Sequence, residues 1–244
     1  MHKSVLTLSV IAALAAPTLA AAADPSPLTG NMSIVTDYRF RGISQTFELP
    51  AIQGGIDYAH ASGVYLGNWN SSVSGLSFTD TAGIEMDFYG GWKKSFGDIG
   101  LDIGLLQYYY PGAKTGAGEK YDTLEGYIGA SWKWLSAKYS YAFSDYFGLT
   151  NSDGSAYLDL NFTMEVAPKL NLIAHYGMQT IKNYDALEYN DWKLGVTYDL
   201  AGWILGAAYV DTDADSALYT LTDSRGKSKD LGGSTVVLSV MKTF

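Results

Sequence analysis

The decisive stretch is AYLDLNFTME, residues 156–165, followed after VAPK by LNLIAHYGMQ, residues 170–179. Ala156, Leu158, Leu160, Phe162 and Met164 fall on one side of an extended chain. Asp159, Asn161, Thr163 and Glu165 fall on the other. A period of two is the signature of a strand. Ala167-Pro168 leaves room only for a tight turn, too short for a helical crossover, so neighbouring strands run antiparallel.

The same alternation extends in both directions. Ile84, Met86, Phe88 and Trp92 oppose Glu85, Asp87 and Lys93. Leu101, Ile103 and Leu105 oppose Asp102, and Leu124 and Ile128 oppose Glu125. Tyr139, Tyr141 and Phe143 oppose Lys138 and Ser140, and Trp192, Leu194, Val196 and Tyr198 oppose Lys193 and Asp199. At the start, Met32, Ile34, Tyr38 and Phe40 share one face and Asp37, Arg39 and Arg41 the other. The pattern predicts twelve strands, over 31–42, 51–60, 63–72, 82–94, 100–110, 122–134, 136–146, 155–166, 169–181, 190–200, 202–211 and 234–244. Each is near the nine to eleven residues that a tilted strand needs to cross a membrane. No run carries a 3.6-residue apolar stripe long enough for a packed helix.

The connections alternate in length. Long ones occupy 43–50, 73–81, 111–121, 147–154, 182–189 and 212–233, and short turns fall between them. Short turns on one rim and long loops on the other are the outer-membrane barrel pattern. The longest, 212–233, is polar and reads as a mobile tip. Aromatic residues recur near strand ends, at Tyr108-Tyr109-Tyr110, Trp132, Trp134, Tyr146-Phe147, Trp192 and Trp203, as interfacial girdles do. The expected fold is all-β: a single closed antiparallel transmembrane barrel of twelve strands, since only closure satisfies every backbone amide in hydrocarbon.

Composition agrees. Of 244 residues, 17 % are charged and 14 % aromatic, with 19 Tyr and 27 Gly. Soluble proteins carry about 25 % charge. Cysteine is absent, which removes disulfides, thiolate metal sites and cysteine nucleophiles. The formal charge of −9 argues against nucleic acid. Lys3, the apolar run 5–16 and Ala21-Ala22-Ala23 form the three parts of a secretory signal peptide over 1–23. The barrel would then occupy 24–244, in the outer membrane of a Gram-negative bacterium and reached through the periplasm.

SIVTDYRFRGISQ, residues 33–45, resembles the opening signature of the TorF family of barrels assigned to porins. Pro50 to Gly55, Asp57 to His60 and Val64 to Trp69 continue the likeness. The resemblance implies an exported barrel of poorly defined substrate, and it brings no catalytic residues.

Strand parity turns Asp37, Arg39, Arg41, Asp57, Glu85, Asp87, Asp102, Glu125, Lys138, Asp159, Glu165, Lys193 and Asp199 inward. Acids outnumber bases in this set, so a water-filled lumen would prefer cations. The alternative is a wall braced by salt bridges, with Asp37, Asp57 and Glu85 as partners for Arg39 and Arg41. Phe244 closes the last strand and resembles the terminal aromatic read by barrel assembly machinery. Partners are therefore outer-membrane lipid, that machinery and small polar solutes.

No catalytic, cofactor or metal site is expected. His60 and His175 are the only histidines after 1–23, and they have opposite inferred facings. Ser62 lacks an orienting acid. Gly54-Gly55 is not a phosphate loop, and Asp211 to Asp215 lacks the glycine and distal Glu of a hand-type calcium loop. The expected function is a porin or narrow channel passing ions or small hydrophilic solutes, with a cation preference. The alternative is a closed structural or adhesive barrel that acts through its loops.

Overall fold

The computed structural model describes residues 26–76 and 82–244. Residues 1–23, read above as a signal peptide, and part of the second long loop lie outside the described residues. Twelve strands close into an antiparallel barrel. They are β1 Leu28–Val35, β2 Ala51–Ala59, β3 Val64–Ser72, β4 Ile84–Phe96, β5 Ile99–Tyr109, β6 Thr123–Trp132, β7 Leu135–Ala142, β8 Ala156–Ala167, β9 Leu170–Thr180, β10 Tyr189–Leu200, β11 Trp203–Thr212 and β12 Thr235–Thr243. Each strand pairs with its sequence neighbours, and β1 meets β12 at the seam, with Asn31 opposite Thr243 and Val35 opposite Ser239. The Phe244 amide donates to the Gly30 carbonyl at 2.8 Å, and Gly30 donates back at 3.1 Å. No helix among the described residues is long and apolar enough to cross a membrane; strands do the crossing.

The period of two settles which side faces out. Ile52, Ile56, Leu66, Ile103, Leu194 and Val236 are all more than half exposed, while Glu85 and Glu125 on the opposite face are each 1 % exposed. A continuous apolar exterior of this extent belongs in hydrocarbon. Exposed Phe96, Trp132, Trp134 and Trp203 ring the short-turn rim, and Tyr109, Tyr141, Phe143 and Tyr209 the long-loop rim. Lys242 stands on the outer parity, and its Nζ lies 5.6 Å from the Trp203 ring, where a lysine can snorkel.

Three expectations need correction. The first strand does not run to 42; it ends at Val35, and residues 36–50 fold back into the barrel. Arg39 pairs with Ser44 and Phe40 with Ile43 across Arg41-Gly42. Both turn residues have positive φ, 47° and 80°, as a primed hairpin turn requires. A Cβ on Gly42 would stand 2.5 Å from Thr212 Cγ2 and 2.6 Å from Asp191 Cβ, so the tip is pressed against the wall. Tyr38 therefore lies inside.

Among the girdle residues, Tyr108, Tyr110 and Tyr146 are also inside, buried against the folded-in loop. The long loop 212–233 is not a bare tip. It carries a one-turn helix, Ser216–Tyr219, and a hairpin of Thr220–Thr222 with Ser228–Asp230. Its Leu231 is fully buried against Ile43, Phe47, Tyr189 and Tyr219.

Candidate functional site: the charged interior

The folded-in loop brings its own charges to the lumen. Arg39 Nε donates to Asp37 Oδ2 at 2.5 Å, and Asp37 Oδ1 accepts from Ser44 Oγ at 2.6 Å and Thr46 Oγ1 at 3.1 Å. Arg39 Nη1 reaches the carbonyls of Leu231 at 2.7 Å and Gly233 at 3.0 Å. Arg41 crosses to β6 instead. Its Nη2 donates to both Glu125 oxygens, at 2.9 and 2.7 Å, and its Nη1 to Gln179 Oε1 at 2.9 Å. The Arg41 guanidinium also lies 4.4 Å from the Tyr157 ring centroid and 4.8 Å from that of Phe40. So of the three acids expected as arginine partners, Asp37 is one, Asp57 and Glu85 are not, and Glu125 takes Arg41.

Elsewhere the inner carboxylates are held by tyrosine. Glu85 accepts from Tyr38 at 2.7 Å and from Tyr110 at 2.6 Å. Asp57 accepts from Tyr89 at 2.6 Å, and Asp102 accepts from Tyr65 at 2.6 Å, where the Tyr65 and Tyr127 hydroxyls touch. A phenol donates to a carboxylate without cancelling its charge. Cations approach these groups through ring faces: Lys93 Nζ lies 5.2 Å from the Tyr65 ring and Lys138 Nζ 5.6 Å from that of Tyr127. Asp87 is buried on the same inner face, and its Oδ1 has no hydrogen-bond partner.

A third group sits on β8, β9 and β10. His175 Nδ1 is 3.0 Å from Asp159 Oδ1, and its Nε2 is 2.9 Å from Asp191 Oδ1. Tyr157 donates to Asp191 Oδ2 at 2.8 Å, and Asn161 to Asp159 Oδ1 at 2.5 Å. An imidazole flanked by two carboxylates donates from both nitrogens, as imidazolium does. Lys193 is the cross-strand partner of His175.

Two residues of the predicted set stand apart. Glu165 accepts from the Lys169 amide at 2.9 Å and Asp199 from the Gly202 amide at 2.6 Å, so both serve short turns. Asp191, His175 and the inner tyrosines were absent from the predicted set. Their parity is the available signal: Tyr89, Tyr127 and Tyr157 alternate in step with Asp87, Glu125 and Asp159.

Residues 19–244 match the family model described as "Bacterial protein of unknown function (Gcw_chp)". No curated protein matches the chain. Among solved structures, a KdgM porin is similar with TM-score 0.56 and 8 % identity, covering 88 % of this chain and 99 % of its own. A KdgM porin in complex with disordered oligogalacturonate gives TM-score 0.54 and 8 % identity, over 89 % and 98 %. A NanC porin gives TM-score 0.51 and 11 % identity, over 88 % and 98 %. These likenesses establish the fold alone, a closed antiparallel barrel like that of these porins.

Proposed function

Starting from a chain that belongs to the Gcw_chp family, we propose a narrow outer-membrane channel for passive diffusion of ions and small hydrophilic solutes, with a cation preference. One observation carries this reading: Glu85, Asp57 and Asp102 each accept a hydrogen bond from a tyrosine hydroxyl on the inner face. Lys93 and Lys138 stand near Asp102 over the Tyr65 and Tyr127 rings, but acids outnumber bases on this face, and a low-dielectric wall focuses the resulting potential along the axis. An interior of this sign does not suit a polyanion such as the oligogalacturonate named for one KdgM structure. No step of catalysis belongs to this reading. Membership of the TorF family, removal of residues 1–23, residence in the outer membrane of a Gram-negative cell and recognition of Phe244 by barrel assembly machinery belong to the same proposal.

The test is single-channel conductance of the refolded mature chain, with reversal potential in a KCl gradient. Reproducible steps with a cation-selective reversal potential are expected. Silence from demonstrably folded barrel overturns the reading. It would favour the closed barrel acting through its loops, which has its own support: loop 36–50 fills the upper lumen, and Glu85 and Glu125 are almost fully buried there.

A further inference from the structure

Above the folded-in loop lies a cavity of about 310 Å³ to which all six long loops contribute. Its volume is at the lower end of the range of small-molecule sites, roughly 300–1,000 Å³. The walls are mostly aromatic and aliphatic, and among the described residues no lining side chain is charged. Phe147 is the hub. Its ring centroid lies 4.6 Å from that of Tyr146, 5.6 Å from Phe40 and 6.1 Å from Tyr110. Phe147 holds this place at φ 45°, a conformation that a bulky residue seldom takes, with its amide bound to Thr123 Oγ1 at 2.8 Å.

Negative charge stands directly behind these walls. Asp122 accepts from the Tyr110 amide at 3.0 Å and Glu188 from the Ile181 amide at 2.9 Å. Both carboxylates thus pin lining residues from the rear. Lys120 and Lys182 on the same loops are exposed, 4.0 Å from Asp122 and 3.6 Å from Asp153. Arg41 below is bound to Glu125. The floor leads to the tyrosine-held acids. An anion would meet mostly apolar walls and a negative field, and a strongly hydrated ion would find only a few neutral hydroxyls and the Gln45 amide to replace its water. A cation with an apolar body gains from ring faces and field together.

We propose that this outer cavity is a binding site for small organic cations, of the aryl- or alkylammonium class. The site goes beyond passive diffusion, because it requires saturable binding whether or not the barrel conducts.

The experiment is calorimetric titration of the barrel in lipid nanodiscs with three probes of one size class: benzyltrimethylammonium, benzyl alcohol and benzoate. The cation is expected to bind at least about tenfold more tightly than the alcohol, with no binding of benzoate. Phe147→Ala removes the hub and Leu187→Trp fills the cavity from the wall. Each is expected to weaken the cation about tenfold or more. Leu187→Trp keeps the test decisive if Phe147→Ala fails to fold. Equal affinity for cation and alcohol, or cation affinity unchanged in a folded Leu187→Trp barrel, overturns the site. KCl conductance is measured separately: conduction without cation binding removes this site alone, and binding without conduction removes the channel alone.

Discussion

Arg41 and Glu125 stand 84 residues apart in sequence and meet inside the barrel as a two-oxygen fork, at 2.9 and 2.7 Å. Both side chains are buried, at 6 % and 2 % exposure. The pair bolts the folded-in loop to the opposite wall. Arg41→Ala leaves the Glu125 carboxylate buried with little more than Tyr108 at 3.4 Å. The expected loss is about 3–5 kcal/mol of stability, read as a lower urea midpoint, together with larger conductance steps. Adding Glu125→Gln should recover part of that loss, since no bare charge then remains. A single variant as stable as the parent would mean that the fork does not hold the loop.

His175 separates Asp159 from Asp191. Replacing it with Phe sets two carboxylates facing each other across an apolar ring. A fall of about 3–5 kcal/mol in unfolding free energy is expected, partly restored by Asp159→Asn. The reversal potential should move further toward cations, because a positive group has left the wall.

Asp87 offers the opposite test. Its buried Oδ1 has no hydrogen-bond partner, so Asp87→Asn removes charge without breaking a pair. The unfolding midpoint should hold or rise, while cation selectivity falls. Unchanged reversal potential in an open barrel would argue that the inner acids brace the wall and do not select.

Asp223 governs the outermost hairpin. The amides of Lys227 and Arg225 each donate to its Oδ1 at 2.9 Å, and the Arg225 guanidinium reaches its Oδ2. The Lys227 amide first, then Arg225, hold this carboxyl below the usual carboxylate range. A folded pKa below the unfolded one gives support that is complete above the unfolded value, about 3.9. That support is lost as pH falls through the folded value. Hydrogen exchange at Arg225 and Lys227 should therefore quicken only at strongly acidic pH. In Asp223→Asn it should show no such step.

Most of the barrel was legible because lipid and lumen impose opposite chemistries on alternate residues, and loop length separates the two rims. The end of β1 was not. Tyr38 and Phe40 continue to alternate with Asp37, Arg39 and Arg41 through the bend, because a buried hairpin has a period of two as well. The turn itself hides in Arg41-Gly42, since an arginine at positive φ is a poor turn signal beside Asn-Gly or Asp-Gly. Tyr108 and Tyr110 were read as girdle for a related reason: only their parity relative to Asp102 on the same run, not their type, says that they point inward. Pairings such as Arg41 with Glu125 depend on where the hairpin lands, which no local pattern encodes.

The hairpin also sets an order of events during assembly. It is synthesised just after β1, yet part of its docking surface, the segment 229–233, arrives near the end of the chain. Arg39 needs the carbonyls of Leu231 and Gly233, the Ser44 amide needs Leu231 at 2.9 Å, and Lys229 Nζ seals Phe47 at 2.8 Å. Immediately afterwards in the chain, β12 zips to β1, with the Thr36 amide donating to Leu238 at 2.9 Å. The segment that completes the plug and the strand that seals the cylinder are thus adjacent in the chain, so a change in the spacing between Gly233 and Thr235 acts on both at once.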